Sequence, residues 1–171
     1  MSVSGPTGVP WNNLVVQNAV RESTQHEVVA AWRHHVVDVR HFYDPDRGTF
    51  RNHCGYHWGI IDGMSKQQAN VDRLLRELLN LLMNRHPANT LVVFICRSGR
   101  HRAVAWAAIF QRLLSRWYCP DEYYLSDHFY VKSDFYTRGC RACSECMSPS
   151  HRREDAIDKI GVRWQALQQR G

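Results

Sequence analysis

The chain has 171 residues, 44% of them hydrophobic, with 22 basic and 16 acidic side chains and a formal charge of +6. That length suits one ordinary domain with its own core and at most a small appendage. No apolar run approaches the roughly 20 residues of a membrane helix, and the positive balance fits an anionic partner such as RNA, DNA or a phosphorylated metabolite, or equally simple solubility.

Residues 1–12, rich in Ser, Gly and Pro, read as a flexible tail without an apolar leader. Residues 13–137 read as an α/β domain with a partly parallel sheet and covering helices. Residues 138–171 read as a Cys-rich segment followed by a C-terminal helix. Three of the six cysteines fall within 140–146. That packing suits a metal better than a disulfide framework and fits a reducing, cytoplasmic setting.

In chain order, Leu14 to Ala19 is a strand candidate, and Ser23 or Thr24 is a cap for a helix over His26 to Arg33. His34 to Val39 is a second strand, ending in Asp38-Val39-Arg40. The Pro, Gly and Asp content of residues 41–48 marks a loop. Ligands of open α/β sheets gather at the carboxyl ends of strands. Asp38 and Arg40 are therefore site candidates if this strand pairs with the central one; a local salt bridge is the other reading. Residues 49–63 look irregular. Arg51 is a candidate for the same site. His53, Cys54 and His57 form a metal set only with a fourth ligand that the sequence does not name.

Ser65-Lys66-Gln67-Gln68 matches a capping box. After it, Val71, Leu74, Leu75, Leu78, Leu79 and Leu82 follow helical spacing up to His86-Pro87. Leu91 to Cys96 is apolar and β-branched, the pattern of a buried strand. A loop with Arg97, Ser98, Gly99, Arg100, His101 and Arg102 follows, and a helix is predicted from Ala103 through Trp117. Strand, tight loop and helix make an anion cradle, because loop amides and the positive helix end converge on one spot. Guanidinium groups add donors suited to phosphate. Five residues separate Cys96 from Arg102, which makes Cys96 a candidate thiolate nucleophile or, alternatively, a packed scaffold thiol.

The aromatic run 121–137 holds a strand candidate near His128 to Lys132. Its rings are candidates for base stacking or, more commonly, for packing a sheet. Cys140, Cys143, Cys146 and His151 form a candidate structural zinc set, with Cys119 and His128 as other possible ligands. The run lacks the fourth Cys of an iron–sulfur site. A last helix starts at Pro149 or Ser150 and carries Ile157, Ile160, Trp164 and Leu167 on one face.

Over residues 38–115 the chain resembles the C-terminal domain of the RapZ family of RNase adapter proteins. Asp38-Val39-Arg40, Arg51 with Gly55, and Cys96 with Gly99-Arg100-His101-Arg102-Ala103-Val104 carry the resemblance. Ala103 stands where that family usually has Ser. The resemblance implies an α/β module that recognises an amino-sugar phosphate and small RNA, with Asp38, Arg40, Arg51 and residues 97–102 around the phosphate. It implies no nucleotide hydrolysis, since the Gly-x4-Gly-Lys-Ser/Thr motif of that family's other half is missing here. Two weaker resemblances imply an enzyme. Val37-Asp38-Val39-Arg40 with Val93 to Gly99 is similar to rhodanese sulfurtransferases. Cys96-x5-Arg102 is similar to the loop of cysteine phosphatases, for which Asp38, Asp44 and Asp46 are equal candidates as general acid. The expected function is a phosphate-binding module rather than a catalyst.

Overall fold

The computed structural model describes residues 14–20, 33–44, 48–84, 90–97, 101–118, 143–147 and 150–170. Three parallel strands form its sheet: β1 (Leu14–Val20), β2 (Arg33–Asp38) and β3 (Thr90–Cys96), in the order β1-β3-β2. The strand at the centre is β3, with Val20 opposite Cys96 on one side and Asp38 opposite Ile95 on the other. Its successive residues Val92, Val93 and Phe94 are all buried, as expected of a strand covered on both faces. At the edge, β2 alternates instead: Val37 and Val39 are buried while Val36 and Asp38 face outward.

The helices are α1 (Trp58–Ser65), α2 (Gln68–Met83), α3 (Arg102–Leu113), the single turn α4 (Ser144–Met147) and α5 (His151–Gln168). A π-helical turn, Leu114–Tyr118, extends α3. Helix α3 packs on β3 and β1, while α5 packs on α1 and also touches α2 and α3. Aromatic rings join these layers: Phe94 meets Phe110 with centroids 5.9 Å apart, and Phe110 meets Trp164 at 6.3 Å. Ion pairs add ties around the rim of α5, from Lys159 to Asp62 at 2.6 Å and from Arg163 to Asp72 at 2.7 Å.

The α/β class and the three strands agree with the sequence. Helix α1 does not: residues 49–63 read as irregular, yet α1 starts at Trp58. Its two glycines, Gly59 and Gly63, hide an apolar face of Ile60, Ile61 and Met64, all buried. Gly59 lets the Phe50 ring approach closely: a Cβ there would stand 2.4 Å from the ring, which would have to shift. The capping box is not formed either. Ser65 ends α1, its hydroxyl bonding back to the Asp62 carbonyl at 2.8 Å, and α2 starts after Gln67 without a side-chain cap. The last turn of α1 claims the serine through this local bond. Helix α3 is buried nearly all round rather than along one face, as suits a helix held between the sheet and α5. The helix expected over 26–33 and the strand expected near 128–132 lie outside the described residues, except that Arg33 opens β2.

Candidate functional site

The carboxyl ends of β2 and β3 come together through the main chain. Val39 donates to the Ile95 carbonyl at 3.0 Å. This pairing puts Asp38 and Arg40 beside Cys96 and Arg97. Arg40 grips Asp38 with a fork: Nε lies 2.9 and 2.8 Å from the two carboxylate oxygens, Nη2 joins one of them, and the Arg40 N–H adds a bond at 2.9 Å. The Arg40 guanidinium holds the Asp38 carboxyl below its usual range. Asp38 thus forms the local ion pair that is one of its two sequence readings.

Cys96 is 2% exposed and belongs to the main core cluster. Arg97 and Arg51 are exposed. Ser98, Gly99 and Arg100, the middle of the predicted cradle, lie outside the described residues.

His101 and Arg102 turn inward, which the sequence did not reveal. The His101 ring is 1% exposed; Nδ1 lies 3.3 Å from Asp44 Oδ1 and Nε2 lies 3.0 Å from the His53 carbonyl. Arg102 donates through Nη1 to the carbonyls of Arg40 at 2.8 Å and Phe42 at 2.9 Å, and Nη2 lies 3.2 Å from Asp44 Oδ2. Its Nε is buried and has no acceptor among the described residues. One guanidinium therefore clamps the loop after β2 while its Nε–H has no acceptor among the described residues. At the same place the start of α3 has no side-chain cap, and its first internal bond runs from Ala105 N–H to His101 O at 2.8 Å. The amides of the first turn have no partner within the helix, which is the general condition of helix N-termini.

Gly55 explains how the loop before α1 reaches this point. A Cβ at Gly55 would stand 2.3 Å from the His101 carbonyl and 2.4 Å from the Ala105 nitrogen. Only glycine lets the two backbones touch. The segment around it is a chain of turns, with Arg51 N–H bonding Gly48 O, His53 N–H bonding Phe50 O and His57 N–H bonding Cys54 O. Gly48, at φ 116°, opens the first of them.

The same turns set His53 and His57 side by side, ring centroids 4.2 Å apart. The chain returns to them in α4, where Cys146 N–H bonds Cys143 O at 3.1 Å. Donor atoms of His53, His57 and Cys143 all lie within 4.8 Å of one another, and Cys146 Sγ is 3.5 Å from His53 Nδ1. This cluster can hold a metal ion. His57 Nδ1 caps α1 by accepting from Gly59 N–H at 3.1 Å, so in this arrangement Nε2 carries the ring proton. Burial lowers the pKa of His57, helped by the neighbouring His53; a neutral imidazole is the ligand form.

The predicted metal set is thus divided. Cys143 and Cys146 join the cluster, Cys140 lies outside the described residues, and His151 is exposed at the start of α5. The missing partners of the Cys-rich segment are the two histidines, separated from it by about ninety residues of sequence. No helix among the described residues is long and apolar enough to cross a membrane.

Comparison with protein-family profiles, with curated proteins and with solved structures returns no significant match.

Proposed function

We propose that the protein is a phosphate-recognising binding module, for a phosphosugar or RNA, of the kind the RapZ C-terminal domain represents. The observation that carries this reading is the Nε–H of Arg102. It is a buried cationic donor with no acceptor among the described residues, set at an uncapped helix start at the carboxyl end of parallel strands. A buried N–H without an acceptor is costly, and an anion oxygen at the helix N-terminus satisfies it along with the first-turn amides. Arg40 and Arg97, at the ends of β2 and β3, add positive charge at the same edge.

Cys96 serves this module as a scaffold thiol under the loop. Its burial in the core supports that role over nucleophilic attack. Arg102, which a phosphatase would turn on its substrate, spends both Nη groups on the Arg40 and Phe42 carbonyls and on Asp44.

The metal assigned to the His/Cys cluster is zinc. Mixed imidazole and thiolate donors are the zinc set of structural sites.

Thermal unfolding with inorganic phosphate and a hexosamine phosphate, beside turnover of a generic phosphate ester, tests the function. Stabilisation without turnover is expected. Turnover that disappears in Cys96→Ser would replace this reading with a phosphatase.

A further inference from the structure

Zinc with bonds of about 2.05 Å to nitrogen and about 2.3 Å to sulfur has a tetrahedral N···S edge of about 3.6 Å. The contact between His53 Nδ1 and Cys146 Sγ is 3.5 Å. Cys143 lies three residues earlier, just ahead of the one-turn helix α4, and its donor atom already groups with those of both histidines. The surroundings also suit an ion: His57 and Cys146 are buried, and His53 and Cys143 are half-buried.

We infer that His53, His57, Cys143 and Cys146 form one closed, four-ligand zinc site that fastens the Cys-rich segment to the loop ahead of α1. The inference rests on the zinc reading above and is independent of the anion site. The role is structural, since four protein ligands leave no position for substrate. On binding, the Sγ protons of Cys143 and Cys146 pass to solvent, so two thiolates neutralise the ion's two positive charges. Coordination through Nε2 of His57 places the ring proton on Nδ1, and the Gly59 N–H gives up its bond there. Zinc also fixes His53, whose carbonyl faces His101 Nε2 at 3.0 Å. The staple therefore ends one residue before helix α3.

The alternative ligands are Cys54, which packs against Cys146, and Cys140 and His151 from the same Cys-rich end. The test measures zinc per chain by mass spectrometry on the full chain purified without chelator, and the visible spectrum after cobalt substitution. One equivalent of zinc is expected, with the intense bands of tetrahedral cobalt and a charge-transfer band corresponding to two thiolates. His53→Ala, His57→Ala, Cys143→Ser and Cys146→Ser each lower zinc affinity about tenfold or more. Cys140→Ser, Cys54→Ser and His151→Ala stay within about twofold of wild type. Wild-type protein that takes up neither metal overturns the zinc reading itself. Full uptake by Cys146→Ser or His53→Ala, loss in Cys140→Ser, or a wild-type cobalt spectrum with one or three thiolates overturns this ligand set and leaves zinc standing. The wild-type spectrum decides even where a variant fails to fold.

Discussion

Arg102 Nη1 lies 2.9 Å from the Phe42 carbonyl, a contact that spans 60 residues and anchors the loop after β2 on the first turn of α3. With the Arg40 carbonyl and Asp44 it makes a planar, multi-point clamp around a side chain only 6% exposed. Lysine keeps the charge but cannot hold three acceptors in one plane. Arg102→Lys is expected to cost about 1–3 kcal/mol of stability, read from the denaturant midpoint with an unchanged slope. A variant as stable as wild type would show that the clamp does not hold the loop.

Gly55 tests the approach of the next loop. A methyl group there meets main-chain atoms of His101 and Ala105 inside 2.5 Å, and backbone atoms have no rotamer by which to yield. Gly55→Ala is expected to lose about 1–3 kcal/mol or more. The same change at Gly48, where nothing lies within 4 Å, is strained by the positive φ alone and should cost less, about 1 kcal/mol. Thermal melts of the two variants check the order.

Much of this was legible in the sequence. The strand β3, the break after Cys96 and the amphipathic α2 are local patterns of period and polarity, and they appear where those patterns put them. The cluster of cysteines pointed to a metal for the same reason. Three things were not legible. Helix α1 carries two glycines whose purpose, close approach to Phe50 at one of them, exists only in the folded chain. Arg102 reads as a phosphate ligand by spacing, but Nη1 is claimed by two carbonyls of the loop after β2 and Nη2 by the Asp44 carboxylate. The histidines that complete the Cys cluster lie far away in sequence, and no periodicity links His53 to Cys146.

Acid should loosen the packing of α5. Asp72 bonds Arg163 at 2.8 and 2.7 Å, and that hydrogen bonding outweighs burial to hold its pKa below the ordinary value. Burial alone would raise Asp62, but Lys159 and Lys66 outweigh it and the net shift is also downward. A carboxyl with a lowered folded pKa stabilises the fold fully above its unfolded pKa of about 3.9, and the contribution is lost as pH falls through the folded pKa. Melting temperature is therefore expected to fall below about pH 4. Asp72→Asn should reduce that slope and cost about 0.5–1 kcal/mol near neutrality, the partly exposed pair being screened. A slope unchanged in Asp72→Asn would place the acid sensitivity elsewhere.

If RNA is the partner, the arginines at the strand ends contact its phosphates. Affinity should then fall linearly in log–log form with salt, and Arg97→Ala should reduce the slope by about 1. Filter binding or fluorescence anisotropy across a salt series measures this. A salt-independent affinity would remove RNA and leave the phosphosugar.

The most direct measurement is the 15N–1H resonance of the Arg102 Nε–H group, observed while inorganic phosphate is added, with Arg102→Lys used to assign the peak. A saturable shift of this buried resonance, together with the first-turn amides of α3, is the predicted result. A resonance that stays fixed while phosphate is raised well past the concentration that stabilises the fold would contradict the anion site at the start of α3.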